Sequence, residues 1–279
     1  MTSFMQRETL SEGIIRPVKG KRDPQLGPDA IMVMLPAELK HLVRKAKAEE
    51  VPFSDTPLYK LYRTKKGPGP AITLAGPFMG APHAVIALEK LIVLGARRIL
   101  VLGWCGSLQP DLKIGNLIIP DRAISEEGTS QHYPLPYGAP RSDSRLNRML
   151  GISLEQQGLT FTKGEIWTTD AIYRETPEKV RVFQKKGVLA VEMEISALLT
   201  VAAYRSVSLA GLLVVSDELF DLKWRPGFSD SLLKKNTRLA GELLLRLSER
   251  LTHCDLSPQY HLPELRGGQS TQRKGKVLR

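Results

Sequence analysis

The residues best suited to chemistry lie between Gly187 and Asp217, in the run GVLAVEMEISALLTVAAYRSVSLAGLLVVSD. Glu192 and Glu194 flank Met193 just after a short β-branched run, Val188 to Val191. Asp217 closes a second apolar run, Leu209 to Val215, through Ser216. The Ala-rich segment between them, to about Tyr204, reads as a helix, so the unit is strand, helix, strand. In an open α/β sheet the ligand sits beyond the carboxyl ends of parallel strands. Carboxylates brought to one crevice from two neighbouring strand ends suit a polyol-bearing substrate that also needs an acid.

The rest of the chain must supply the sheet and its covering layers. Ala30 to Leu35 is a continuous apolar run suited to a buried strand. Pro36 then opens a helix, PAELKHLVRKAKAEE, at the first-turn position where proline is tolerated. Pro57 to Arg63 and Pro70 to Ala75 read as strands around a KKGPG turn. A helix follows Gly80, then a strand, Ile99 to Leu102, running into GWCGSLQPDLKIG, read as a glycine-punctuated loop at a strand end. Asn116 to Pro120 and Arg122 to Ser125 are short strands. Helices over 143–157 and 177–186 bracket a strand over 164–168. A last helix, about Asp230 to Leu251, repeats apolar residues at helical spacing and covers one sheet face. The pattern predicts one α/β domain over 29–252, preceded by a loosely held arm over 1–28 and followed by a basic polar tail over 253–279.

Composition narrows the function classes. The chain has 279 residues, 42% hydrophobic and 25% charged, ordinary for a soluble globular protein. No apolar run approaches the ~18 uncharged residues of a membrane span. The N-terminus lacks the order of a signal peptide. Two cysteines, Cys105 and Cys254, form no framework and point to a reducing compartment, so cytoplasm is the expected location. The net charge of +11 raises nucleic acid as a partner. Much of that charge is scattered or terminal, and aromatics are only 6%, whereas nucleic-acid readers interleave aromatics with a basic stripe. Solvated surface is the better reading. The five histidines show no metal-ligand spacing, and the glycines of GWCG form neither a GxGxxG nor a P-loop.

With these pieces in order, the chain resembles the nucleoside phosphorylase-I family. That family includes purine nucleoside and uridine phosphorylases and methylthioadenosine/S-adenosylhomocysteine nucleosidase. The resemblance runs from about Ile31 to Leu251, carried by AVEMEISAL (190–198), VVSD (214–217) and GWCGSLQPDLKIGNLIIP (103–120). FMGAP and TTDAIY (168–173) match more weakly. It implies a three-layer α/β/α fold with a central mixed, largely parallel sheet and a nucleoside pocket. It also implies N-glycosidic cleavage with phosphate or water, no metal or cofactor beyond inorganic phosphate as a possible co-substrate, and homo-oligomers such as dimers or trimers of dimers.

The resemblance assigns roles residue by residue. Asp217 matches the family's Ser-Asp motif and becomes the acid to the purine ring nitrogen N7; uridine phosphorylases lack it, which favours purine-type bases. Its plainer role is to cap a following turn or helix. Glu194 accepts from the ribose hydroxyls, a vicinal diol suited to a dual acceptor, and its charge favours a cationic sugar. Met193 packs under the sugar or fills core. Glu192 either assists with the ribose or sits at a helix N-terminus. Ser216, Ile172, Tyr173, Gly103, Trp104 and Gly106 complete the substrate-binding set, Ile172 standing where relatives often carry a stacking Phe. Arg174 or Glu175 reads the base edge or lies on the surface. Arg225 either orients the acid or is structural.

The nucleophile's side departs from the family pattern. Many phosphorylases hold phosphate with a Gly-Asp-Pro-x-Arg turn, where this chain has Leu35-Pro36-Ala37-Glu38. Val101 replaces a second phosphate-contacting arginine, and Trp104 replaces a small hydroxyl residue. A dianion without Arg or Lys partners is poorly served, although Ser107 and amides around Gly106 offer donors. Glu38 stands roughly where the nucleosidases carry a water-activating glutamate, or it is an ordinary first-turn acid. Hydrolysis is therefore favoured over phosphorolysis, with a phosphorylase or a non-catalytic nucleoside-binding protein as the alternatives. Cys105 has no evident His partner and reads as a small buried residue.

Overall fold

β-branched and leucine-rich runs build the sheet, as expected, and the strands close partly on themselves. The structure, a computed structural model, describes residues 13–54, 58–65, 70–133, 135 and 140–254. The KKGPG turn falls largely, and the tail over 255–279 wholly, outside the described residues, as do residues 1–12 of the arm.

Among the described residues ten strands follow in chain order: β1 (Asp29–Val33), β2 (Glu49–Glu50), β3 (Lys60–Arg63), β4 (Thr73–Gly76), β5 (Arg98–Ser107), β6 (Leu117–Glu126), β7 (Phe161–Thr169), β8 (Ala190–Glu192), β9 (Ser208–Glu218) and β10 (Arg225–Pro226). They pair in the order β10-β9-β6-β7-β8-β5-β1-β4-β3-β2, and β9 also pairs with β5. That extra pairing turns β5, β9, β6, β7 and β8 into a closed ring from which β1, β4, β3 and β2 extend. The long ladders β1–β5, β5–β9 and β6–β7 are parallel, while β5–β8 and β6–β9 are antiparallel. The sheet is mixed and largely parallel.

Among the described residues six α-helices make the outer layers: α1 (Pro36–Lys45), α2 (Ala81–Leu94), α3 (Ser144–Glu155), α4 (Pro177–Lys185), α5 (Ile195–Tyr204) and α6 (Ser231–Cys254). Local chemistry starts them. Pro36 opens α1, Asp143 caps α3 by accepting from Leu146 N–H at 2.9 Å, and Thr176 with Pro177 opens α4. The alternation of β5 divides the core. Ile99, Val101 and Cys105 face α2 and α5, whereas Leu100, Leu102 and Trp104 face α1, α3 and α6. The layers are α/β/α.

Two expectations are revised here. The supposed loop Gly103–Ser107 is strand: β5 runs through it because neighbours pair with it on both sides, Val191 and Asp217 lying opposite Gly106. The arm is tied down before residue 28. Lys90 Nζ, on buried α2, donates to Asp23 Oδ2 at 2.8 Å and to the carbonyls of Val18 (2.8 Å) and Ser54 (3.1 Å). Burial pushes the Asp23 carboxyl up, but hydrogen bonds from Lys90, Ser54 and Gly20 together hold it well below the usual carboxylate range.

Candidate active site

The proposed acids converge on β5, though not by the expected route. Strand β8 runs antiparallel to β5 while β9 runs parallel to it. The two acid-bearing strands are therefore not neighbouring parallel strands, because closure of the ring inserts β5 between them. The register still brings the acids together. Gly106 faces Val191 on one side and Asp217 on the other, so Glu192 and Asp217 flank the Cys105-Gly106 stretch. A Cβ at Gly106 would meet Leu219 at 2.5 Å and Asp217 Oδ2 at 3.0 Å, so the acid leans over a position only glycine leaves open.

Asp217 accepts hydrogen bonds at both oxygens, with Ser216 Oγ 2.7 Å from Oδ1 and the Trp224 indole N–H donating to Oδ2 at 3.0 Å. It caps no helix. Burial raises its pKa, and the two hydrogen bonds oppose that rise. Ser216 is buried and its hydroxyl also lies 3.3 Å from the Cys105 carbonyl, so it serves the acid. Cys105 is buried, and its thiol is pushed up by burial and by the charges of Asp217 and Glu192, which suits packing and not nucleophilic attack.

Glu194 is buried at the start of α5, and its Oε1 accepts from the Gly80 N–H at 2.6 Å. Gly80, at φ 81, takes a backbone conformation that favours glycine. The FMGAP segment thus reaches the site by orienting the glutamate. Burial raises the pKa of Glu194, and burial together with the neighbouring Glu194 charge raises that of Glu192. Glu192 is otherwise occupied: its Oε2 accepts from the N–H groups of Glu194 (2.7 Å) and Ile195 (2.8 Å), and Thr168 Oγ donates to its Oε1. Between ribose contact and helix terminus, the geometry gives Glu192 the second. Glu192→Ala leaves two buried N–H groups without an acceptor, and a loss of about 1–3 kcal/mol is expected in urea denaturation. An unchanged midpoint would return Glu192 to ligand duty. Met193 is half-buried and outside the core clusters, which leaves it available to a ligand.

The remaining candidates scatter. Ile172 and Tyr173 lie on a 3-10 turn, Ile172–Arg174, and are 41% and 95% exposed, so neither walls a closed pocket. Glu175, next in the chain, is raised to about 7 by burial and by the charge of Asp217. Gly103 packs inside β5 against Leu213 and Met34. Trp104 donates to Thr237 Oγ at 2.8 Å on the α6 side. Gly106 is held in the ladder and Ser107 Oγ donates to the Gln109 carbonyl, so the anion-binding donors considered there serve the sheet and the following turn. Arg225 pairs with Asp221, not with Asp217. The group that reaches the acid from that loop is Trp224, which no sequence pattern marks. Glu38 is buried on α1, its Oε1 3.6 Å from Arg238 Nε and without a hydrogen-bond partner. Among the described residues no group of three or more His, Cys, Asp or Glu is placed to hold a metal ion, and no helix is long and apolar enough to cross a membrane.

Residues 28–252 match the Phosphorylase superfamily, and the chain belongs to that family. Among relatives, it is 35% identical over 154 residues to a DeoD-type purine nucleoside phosphorylase of Caldanaerobacter subterraneus subsp. tengcongensis, and 32% identical over 154 residues to one of Bacillus cytotoxicus. These matches cover 54% of this chain and 66% of each relative, just under two thirds. Uridine phosphorylase from Vibrio fischeri ES114 superposes with a TM-score of 0.74 at 24% identity, over 86% of this chain and 100% of that one. Purine nucleoside phosphorylase from Toxoplasma gondii, solved with immucillin-H, gives 0.74 at 22% identity, over 88% and 100%. The shared architecture is the phosphorylase fold.

Proposed function

We propose that the chain cleaves the N-glycosidic bond of purine-type nucleosides. Asp217 is the acid to the departing base, Glu194 holds the ribose, and water activated by Glu38 is the nucleophile. The observation that carries this reading is that β8, which leads into Glu192–Glu194, and β9, which carries Asp217, pair with the same stretch of β5 at Gly106. Cleavage puts positive charge on the sugar and negative charge on the base. A buried carboxylate near the first and a carboxyl with a raised pKa near the second lower the barrier at both ends. Water is favoured because the resemblance aligns Glu38 with the nucleosidases' water-activating glutamate, and Glu38 is a buried acid one of whose oxygens lacks a hydrogen bond.

The relatives' names favour a second nucleophile, phosphate, with Arg238, 3.6 Å from Glu38, as a candidate cation for it. Incubation of the protein with purine nucleosides, with and without inorganic phosphate, separates the two. Base and free ribose in both samples are expected. Ribose 1-phosphate formed only with phosphate would replace the nucleophile. Nucleoside binding with no base released under either condition would leave a binding protein.

A further inference from the structure

Trp224 lies on the return arm of a hairpin that folds back over Asp217. The chain leaves β9 at Glu218, reverses through Leu222 at φ 65, and returns as β10 with Arg225 opposite Glu218 and Pro226 opposite Asp217. Both ends are tied: Leu219 N–H donates to the Ser107 carbonyl at 2.9 Å and Gly227 N–H to the Ser216 carbonyl at 2.8 Å. A Cβ at Gly227 would meet Ile114 at 2.6 Å and the Ser216 carbonyl at 2.8 Å, so the close return needs glycine there. The Trp224 ring meets Phe228 edge-on at 6.1 Å, and Phe228 stacks on Trp104 at 5.9 Å. Trp224 is nevertheless 63% exposed. Its hydrogen bond to Asp217, more than burial, accounts for its place.

That hydrogen bond conflicts with the acid's task. Donors at both carboxyl oxygens favour the ionised form, and an ionised Asp217 has no proton to give. The Ser216 hydroxyl can turn and accept, but an indole N–H only donates. The oxygen facing Trp224 therefore cannot both carry the proton and keep this partner at full strength.

We propose that Trp224 is a positioning residue for the acid: it holds Oδ2 of ionised Asp217 and releases it when the carboxyl takes up a proton and turns it to the nucleobase. The inference rests on Asp217 being that acid. The proton comes from solvent. It passes from Oδ2 to a ring nitrogen of the base as the glycosidic bond breaks and its electron pair leaves with the base. Asp217 returns to the carboxylate and the indole re-engages. Among the described residues, the charge of Asp217 acts on Glu175 after the 3-10 turn and on Cys105 of β5, which also feels Glu192 of β8. In the hairpin Asp221 and Arg225 pair with each other, and Glu218 turns away to Lys113 at 3.6 Å.

Trp224→Phe keeps a smaller aromatic ring for Phe228 and removes the N–H donor. Indole emission of the substrate-free protein, titrated from acid to neutral pH, is expected to show a transition absent from both Trp224→Phe and Asp217→Asn. Emission that is flat with pH, or a transition that survives in either variant, overturns the proposal. In turnover, losing a donor that favours the charged form raises the acid's pKa. The alkaline limb of kcat/KM for purine release then moves up by about one pH unit in Trp224→Phe; an unmoved limb also overturns it. The emission readout needs no turnover, so failure of the Trp224–Asp217 coupling and failure of the cleavage reading show separately.

Discussion

Asp217→Asn is expected to slow purine release about 10²–10⁴-fold, the usual contribution of a positioned general acid. The amide cannot donate a carboxylic proton, yet it is nearly the same size and keeps an oxygen for Trp224 or Ser216. Thermal stability should therefore hold while turnover falls. The loss should be greatest for bases that leave poorly as anions and least for nucleosides with an activated leaving group, which need no proton. Rate constants for a good and a poor leaving group, compared in parent and variant, test this. An equal loss on both would make Asp217 a structural residue.

Glu194→Gln is expected to lower kcat/KM about 10²–10³-fold, the scale seen when one preorganised electrostatic stabiliser is removed. The amide oxygen can still accept from Gly80 N–H, so α2 and α5 stay joined. The negative charge beside the sugar is lost, and with it one acceptor for the diol. Because both effects act through the ribose hydroxyls and the cationic sugar, 2′-deoxynucleosides should be penalised less than ribonucleosides. A variant that loses as much on both, or loses stability in place of activity, would assign Glu194 to the helix junction.

Much of the scaffold can be read from the chain because burial leaves a local trace. Apolar runs of about the right length mark β1 and β9, and Pro36, Asp143 and Pro177 mark helix starts. Ring closure leaves no such trace. Whether β8 lies beside β9 or across β5 from it depends on pairings between residues far apart in sequence, so the sequence suggests parallel neighbours where the fold sets the two acid-bearing strands on either side of β5. Glycines at 103 and 106 suggested a loop, but here they allow close packing within a strand paired on both edges. For Glu192 the sequence leaves both roles open, because a residue three before Ile195 suits a helix cap and a ligand contact equally well. Nothing in the sequence marks Trp224, because its hairpin turns at Leu222, a residue with no turn signature, and a lone exposed tryptophan carries no periodicity.

Everything proposed for the chemistry requires one purine nucleoside to touch Glu194 and Asp217 at once. Asp217→Asn provides the means to see it, since a slowed enzyme can hold intact substrate through crystallisation. The crystal structure of that variant with a purine nucleoside should place the ribose hydroxyls on Glu194 and the five-membered ring of the base against residue 217, with Trp224 moved off it. A nucleoside bound elsewhere, or one that reaches only one of the two residues, would contradict the shared site.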